Sequence, residues 1–377
     1  MKNTWFAPFW QRIGPGLFDP LFNRLALLGE LTEEHVRVIK TLEVVKIEDY
    51  IPYNYQNHVG RPQRDRAAIA RAFLAKATLN CPTTVAFLGR LEVDLTLRRI
   101  CGFGFEPLAC EATFSNAFRE ISKLKLTEIV HKNLIKKELE GTCVYNLSRD
   151  ATDIEAREKP DNTDQKLKKE QKKKGIKRKK GRPKKGEEKL EIEPKIETNL
   201  EKQQHQTLEQ MLSDVPTKCD TGSKKNAKGY VHSWNGYKLH LDCADNGLVL
   251  SAYLSSASVH DSRLALPLEI TSNRKVQSFY SLMDSAYDAG IIRSYISEKF
   301  NKVPVIDINK RRKKEPEEML PRQKIRYKAR TTAERTNSAL KDSYGARYLR
   351  VKGPIKAMCH LMFGVLAFCA EKIISPP

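Results

Sequence analysis

The stretch YKARTTAERTNSALK at residues 327–341 is the most informative part of the chain, because its spacing predicts a helix with two different sides. At about 100° per residue, four polar side chains fall within about 60° of one another. These four are Tyr327, Arg330, Glu334 and Lys341. A carboxylate held between cations suits a metal ion and the phosphates of a nucleic acid. The alternative is an ordinary amphipathic helix with solvated charges.

The overall charge indicates a polyanionic partner. The 377 residues carry a formal net charge of +21, and such a balance is typical of proteins that bind nucleic acids. More than half of this charge lies between Lys166 and Lys185, where 13 Lys and Arg residues accompany a single acid.

The sequence predicts a cytoplasmic protein without a membrane segment. No run of about 18 apolar residues is present, so no transmembrane helix is expected, and the first residues lack the apolar core of a signal peptide. The eight cysteines are scattered without a Cys-x-x-Cys pair. This pattern is typical of reduced thiols, and it argues against a zinc module or a disulfide framework.

Residues 1–137 are predicted to form a helical domain. Its helices are expected to start at Thr32, at Pro62, at Thr83 or Thr84, near Asp94, and after Thr113 and Ser115. Short helices that carry several arginines could hold a helix-turn-helix, so we predict that this domain binds DNA. A small helical bundle without a DNA-binding role is the alternative.

Residues 138–377 are predicted to form a mixed α/β domain. Thr142–Ser148 is a β-prone run that ends just before Asp150, and the turn Asp245–Gly247 joins two alternating runs into a hairpin. Beyond the hairpin the pattern predicts a helix, a strand ending at Asp284, a helix, a short strand and the helix that carries Glu334. Three acids therefore lie on separate elements.

A charged segment at residues 159–213 interrupts this domain between its first strand and the hairpin. It is poor in apolar residues, so we predict that it is disordered. Within it, Lys180-Gly181-Arg182-Pro183 is similar to an AT-hook, in which an extended Arg-Pro lies in a narrow minor groove of DNA. Lys180 and Arg182 are therefore candidate DNA-binding residues, and an insertion without a role is the alternative.

Asp150, Asp284 and Glu334 together predict a metal site. Aspartates at the ends of neighbouring strands, with a glutamate on a helix packed against them, form an oxygen site that suits Mg²⁺ or Mn²⁺. Two such ions about 4 Å apart can activate a water or a 3′-hydroxyl for in-line displacement at phosphorus. Asp153 is a second candidate for the first aspartate, but strand alternation places it on the opposite face from Asp150. We favour Asp150.

These residues resemble bacterial insertion-sequence transposases of the DDE type, which have a ribonuclease-H-like catalytic domain. The family signature Tyr-x2-Arg-x3-Glu-x6-Lys matches Tyr327, Arg330, Glu334 and Lys341. Ser148–Thr152 and Leu282–Asp288 are similar to the two aspartate blocks, Trp234–His240 to the hairpin motif, and Thr113–Arg119 to part of the N-terminal region. The resemblance therefore covers most of the chain.

The resemblance implies roles for individual residues. Asp150, Asp284 and Glu334 would be catalytic and would bind two Mg²⁺ or Mn²⁺ ions. The residues that would hold the terminal phosphates of the transposon end are Tyr327, Arg330 and Lys341. Lys238 on the hairpin is a further candidate for contacting DNA, and an exposed polar face is the alternative.

The resemblance also implies an activity. The protein would bind the terminal inverted repeats of its element, cut the ends by metal-assisted hydrolysis and join the 3′-hydroxyl to target DNA. Its partners would be double-stranded DNA and a second copy of the chain, in a homodimer at the nucleoid. A metal-dependent nuclease of the same fold and a non-catalytic DNA-binding protein derived from a transposase are the alternatives.

Overall fold

The computed structural model describes residues 31–52, 64–160, 197–225, 228–309 and 319–375. The lysine-rich stretch with Lys180 and Arg182 lies outside the described residues. Within them the fold is α/β, with a helical N-terminal region followed by a seven-stranded mixed sheet that carries further helices.

The N-terminal region contains six helices in its described part. They are α1 (Glu33–Val45), α2 (Arg66–Thr78), α3 (Thr84–Val93), α4 (Leu95–Ile100), α5 (Glu111–Lys123) and α6 (Leu126–Glu138). The starts predicted at Thr32 and Thr83 are confirmed, because each hydroxyl accepts a hydrogen bond from a backbone N–H of the first turn.

The start predicted near Asp94 is confirmed as well, because its carboxylate accepts from the N–H of Leu97. Two other predicted helix starts are wrong. α2 starts after Asp65 rather than at Pro62, because the Asp65 carboxylate caps the N–H groups of Ala67 and Ala68. α5 starts at Glu111, two residues before Thr113. α6 has no counterpart among the predicted helices.

The sheet is organised around one long central strand. The strands are β1 (Cys143–Ala156), β2 (Asp220–Lys225), β3 (Val231–Cys243), β4 (Val249–Ser256), β5 (Gln277–Met283), β6 (Val303–Ile306) and β7 (Tyr348–Leu349). Their order is β2-β3-β1-β5-β6, with β4 paired to β3 and β7 paired to β1. The predicted β3–β4 hairpin is confirmed by antiparallel pairing from Tyr237–Ser256 to Cys243–Val249.

β1 extends well beyond its predicted end before Asp150. It pairs antiparallel with β3 as far as Glu155, opposite Gly236. On its other side it pairs parallel with β5, but only as far as Ser148, opposite Leu282. Asp150 therefore lies inside a strand, just beyond the point where the pairing with β5 stops, and it does not end the strand.

The predicted disorder of residues 159–213 is wrong at the C-terminal end, where the structure has α7 (Asn199–Gln203) and α8 (Leu208–Ser213). Both helices start with capping boxes, which pair Thr198 with Glu201 and Thr207 with Gln210. Met211 is fully buried in a cluster with Leu266 and Tyr287 of the α/β region. Packing against residues distant in sequence therefore compensates for the polar composition of the segment.

Five further helices belong to the described fold. They are α9 (Ala265–Asn273), α10 (Gly290–Phe300), α11 (Pro321–Tyr327), α12 (Thr331–Ser343) and α13 (Pro354–Ile374). α12 packs against β1 and β3, so it covers one face of the central strands.

The last helix, α13, belongs to the core of the N-terminal helical layer. It packs against α1, α2, α5 and α6, and the Phe363 ring lies 5.8 Å from Phe73 and 6.2 Å from Phe118. α13 is the one described helix long and apolar enough to cross a membrane. Most of its apolar residues are buried inside the protein instead, so its length and hydropathy are explained by its position in the core.

The close approach of β3 to β1 at Gly236 makes a first prediction. A Cβ at this position would lie 2.1 Å from the Ile154 carbonyl oxygen, and the φ of +152° is one that L side chains rarely adopt. Gly236→Ala should therefore lower the free energy of unfolding by about 1–3 kcal/mol, measured by urea denaturation. Gly290→Ala is the matched control, because a Cβ there meets no atom within 4 Å. Equal stability of the two variants would contradict the prediction.

Candidate active site

The β-sheet register brings Asp150 and Asp284 together. The parallel pairing of β1 with β5 ends at Ser148 opposite Leu282. Asp150 lies two residues after Ser148, and Asp284 lies two residues after Leu282. If the same register continues, the two carboxylates lie side by side. The Asp284 carboxylate also accepts a hydrogen bond of 3.0 Å from the N–H of Ala286, which fixes it at the start of a 3₁₀ turn.

The predicted single helix over residues 327–341 is corrected in part. α11 ends at Tyr327, residues Lys328–Arg330 form a tighter 3₁₀ turn, and α12 starts at Thr331. The Ser148 hydroxyl on β1 donates to the Ala329 carbonyl over 3.2 Å. This bond attaches the turn to the central strand beside Asp150.

Arg330 links two of the three candidate acids. Its guanidinium forms an ion pair with Glu334 one turn further on, and its Nη1 lies 3.9 Å from Asp150 Oδ1. It also lies over the Tyr327 ring, 5.4 Å from the centroid. Burial raises the pKa of Tyr327 to about 12, so the phenol stays protonated and can donate a hydrogen bond.

The two aspartates lie in surroundings that disfavour their charge. Burial raises the pKa of Asp150 to about 6, and the nearby Asp284 acts in the same direction, while Arg330 and Asn337 oppose the shift. Burial also raises the pKa of Asp284, and the neighbouring Asp261 adds to this shift. The neighbouring cations therefore do not offset the cost of burying charge on these two carboxylates.

Asn337 is a site residue that the sequence analysis missed. It is 5 % exposed, and its Nδ2 donates to Asp150 Oδ2 over 2.9 Å. Its Oδ1 is buried and has no hydrogen-bond partner among the described residues. The available signal was its position three residues after Glu334, which places both side chains on neighbouring parts of one helix face.

Lys341 and Asp153 form an ion pair of 3.1 Å, so the signature lysine reaches β1 as well. Asp153 is the alternative first aspartate. Burial acts to raise the pKa of its carboxyl, but the nearby Lys341 ammonium brings that pKa below its usual value. Its carboxylate is thus held by a lysine, whereas Asp150 faces Asp284 and Asn337.

Lys238 does not lie on an exposed face of the hairpin. Its ammonium group donates to the Val259 carbonyl over 2.8 Å and pairs with Asp261 at 2.9 Å. The neighbouring His240 is fully buried and bonds to Ser255. Both faces of β3 are covered from Gly236 to Cys243, which the alternating pattern did not indicate.

The donor set suits a divalent cation, although the three acids do not converge on one point. Asp150, Asp284 and Glu334 offer only oxygen ligands, and the Asn337 Oδ1 is a further buried acceptor. Hard cations prefer such ligands. Within the described ranges, no three His, Cys, Asp or Glu side chains lie close enough to hold one ion. Glu334 is instead engaged by Arg330.

Two transposase families match the chain. Residues 198–370 match the transposase DDE domain, and residues 29–120 match the transposase domain DUF772. The chain belongs to the DDE transposases of insertion sequences. No curated protein and no solved structure gives a match. The DDE match includes Asp284 and Glu334 but starts after Asp150, so the choice of Asp150 depends on the geometry described above.

The strand of the transposase that carries Asp150 is held in place by Arg149, which points to the opposite face. Arg149 is 1 % exposed. Its guanidinium donates to both carboxylate oxygens of Asp242 over 2.7 and 2.8 Å, and to Glu269 over 3.0 Å. Lys302 binds Glu269 as well, at 2.8 Å. Two cations and two acids thus form a balanced buried network joining β1, β3 and α9.

This network makes a second prediction. Arg149→Ala would leave two buried carboxylates with one cation, so the free energy of unfolding should fall by about 3–5 kcal/mol. Chemical denaturation with far-UV circular dichroism measures the loss. Arg64→Ala is the control, because the Arg64–Glu106 pair is exposed and should contribute less than about 1 kcal/mol. A loss at Arg149 no larger than the loss at Arg64 would mean that the network does not stabilise the strand.

Proposed function

We propose that this transposase binds the terminal inverted repeats of its own element, cleaves the ends and transfers the 3′-hydroxyl to target DNA. The observation that carries the proposal is the β1–β5 register, which sets Asp150 beside Asp284 under the helix that bears Glu334. The ribonuclease-H-like character of the sheet, with β1 at its centre, supports the same assignment.

Asp150, Asp284 and Glu334 would hold two Mg²⁺ or Mn²⁺ ions. When bound, such ions activate the attacking water or hydroxyl and stabilise the leaving oxygen. The pair of partly buried aspartates supports this assignment, because a divalent cation would reduce their mutual repulsion. Asn337 would fix Asp150 by donating to one carboxylate oxygen, which leaves the other oxygen for the ion.

Arg330 would act as a switch between its two partners. In the structure its guanidinium is bound to Glu334 and close to Asp150. A DNA phosphate is a bidentate partner of the same kind as a carboxylate, so it would compete for Arg330 and release Glu334 toward the aspartates. DNA binding would then complete the set of three acids, which limits cleavage to bound ends.

Tyr327 and Lys341 would complete the set of groups that bind phosphate. Tyr327 lies beside Arg330 and remains a hydrogen-bond donor, and Lys341 stands on the other side of Glu334 along α12. Lys180 and Arg182 would bind DNA from outside the described residues. Lys238 is engaged by Asp261 and Val259, so it would position the loop next to Asp284 instead of binding DNA.

The remaining parts of the proposal follow from the reaction. Two element ends must be processed together, so the DNA complex would be a homodimer, and the protein would act in the cytoplasm at the nucleoid. Of the two predicted domains, residues 1–137 would bind the element ends and residues 138–377 would cleave them. A nuclease of the same fold would cut without joining, and a strand-transfer assay with end DNA separates the two.

The triad makes a third prediction. Asp150→Asn, Asp284→Asn and Glu334→Gln should each reduce Mg²⁺-dependent cleavage of end DNA by at least about 100-fold, because each variant removes a charged ligand of the ions. Gel-shift binding of the same DNA in EDTA should persist. Asp153→Asn tests the alternative first aspartate and should keep most of the cleavage. If Asp153→Asn abolished cleavage while Asp150→Asn did not, the two residues would have to exchange roles.

The switch makes a fourth prediction. Arg330→Ala should weaken the end complex and slow cleavage, and Arg330→Lys should recover only part of the loss, because lysine lacks the planar fork. The matched control is Arg335→Ala on the exposed side of α12, where the arginine bonds only to Thr331 among the described residues. Cleavage rates on end DNA measure both. If the alanine variants at 330 and 335 behaved alike, Arg330 would have no special role.

A further inference from the structure

A basic cleft lies between the helical layer and the chain that follows α12. It has a volume of about 770 Å³. Lys341 lies in its wall, and the same lysine pairs with Asp153 on β1, three residues from Asp150. The other cations in its wall are Lys76, Arg157, Arg347, Arg350, Lys352 and Lys356. Two acids, Glu111 and Asp342, accompany them.

Most of these cations have no acidic partner among the residues that the structure describes. Asp342 pairs with Arg347. Lys76, Arg157, Lys352 and Lys356 form no ion pair within the described ranges. Arg350 lies over the Tyr348 ring, 5.7 Å from its centroid. The cleft therefore carries a concentrated positive charge that the described protein does not neutralise.

Lys76 is the most unusual of these residues. It lies in the last turn of α2 and is only 8 % exposed. Burial lowers the pKa of its ammonium group. Burial also lowers the pKa of the neighbouring His360, and the Lys76 cation adds to that shift. A buried ammonium without a counter-ion costs stability, and a bound anion would remove that cost.

The N-terminus of α3 lies in the same cleft, through Thr83, Thr84 and Val85. The Thr83 hydroxyl accepts from the N–H of Ala86, and the first N–H groups of a helix have no partner inside the helix. Such a terminus carries a partial positive charge and favours phosphate. The helix end and Lys76 are independent features that point to the same kind of ligand.

We propose that this cleft binds the phosphate backbone of a DNA strand leaving the active site, with Lys76 and the N-terminus of α3 contacting one phosphate. The proposal extends the function proposed above, on which it rests. A single small anion would neutralise only part of this charge, because seven Lys and Arg residues line the cleft. A chain of phosphates supplies several negative charges at once.

The proposal separates DNA affinity from stability at Lys76. Lys76→Met keeps the apolar stem and removes the buried charge, so the melting temperature should stay equal or rise. The affinity for a random duplex in EDTA should nevertheless fall, and the slope of log K against log salt should become shallower by about 0.9, because the variant neutralises one phosphate fewer. Fluorescence anisotropy of the full-length protein measures both quantities. Lys137→Gln, which alters an exposed lysine of α6 outside the cleft, should change neither.

A crosslink locates the DNA directly. The photoreactive residue p-benzoylphenylalanine at Val85, in the cleft wall, should crosslink to the labelled duplex. The same residue at Val93, which is exposed at the other end of α3, should not. The Val85 crosslink should be reduced in the Lys76→Met background.

The outcomes distinguish this proposal from the function on which it rests. Normal DNA binding with no Val85 crosslink, or with a salt slope that Lys76→Met leaves unchanged, would overturn the cleft assignment alone. A lower melting temperature of Lys76→Met with unchanged affinity would give Lys76 a structural role and would also overturn it. Because the measurements need no cleavage, an error in the catalytic triad would not affect them. Absence of any DNA binding would overturn both proposals.

Discussion

The buried charge network around Arg149 is the interaction on which the rest of the catalytic region depends. Arg149 and Lys302 neutralise Asp242 and Glu269 in the core, and Ser272 and Ser281 donate to the same carboxylates. Removing one member would leave an uncompensated buried charge, so the network favours one arrangement of β1, β3, β5 and α9. That arrangement fixes which side of β1 faces α12, and therefore where Asp150 points.

The two faces of β1 differ in whether their charged residues are paired. On the Arg149 face both acids of the network have a cation, which suits a structural role. On the Asp150 face the Arg330 guanidinium lies between Asp150 and Glu334, and the partly buried Asp284 forms no ion pair among the described residues. Arg149 and Asp150 are adjacent in β1 and face opposite sides of the sheet. The Arg149 side has paired charges that stabilise the fold, whereas the Asp150 side keeps an excess of carboxylates. The network on the Arg149 face holds the strand in place at the proposed cation site.

The helical layer and the sheet are joined by the C-terminal part of the chain. α12 covers β1 and β3, the chain then lines the basic cleft, and α13 returns into the core of the N-terminal helices. The Arg37 guanidinium on α1 is bonded to Tyr344 and to Glu371 of α13. Because this path runs directly from Glu334 into the helical layer, a DNA strand bound in the cleft would touch both parts of the protein at once.

The sequence by itself determined the features that depend on local order: the caps at Thr32 and Thr83, the β3–β4 hairpin, the Tyr-Arg-Glu-Lys spacing, and the aspartate after β5. The sequence-based predictions were wrong about the length of β1, the disorder of residues 197–213 and the exposure of Lys238. Strand pairing and burial at these places depend on partners far away in the chain. The orientation of Asn337 toward Asp150, the Arg149 network and the position of Lys76 were decided only by the tertiary structure. Each depends on which side chains contact one another across separate elements, and residue spacing within one element does not specify those contacts.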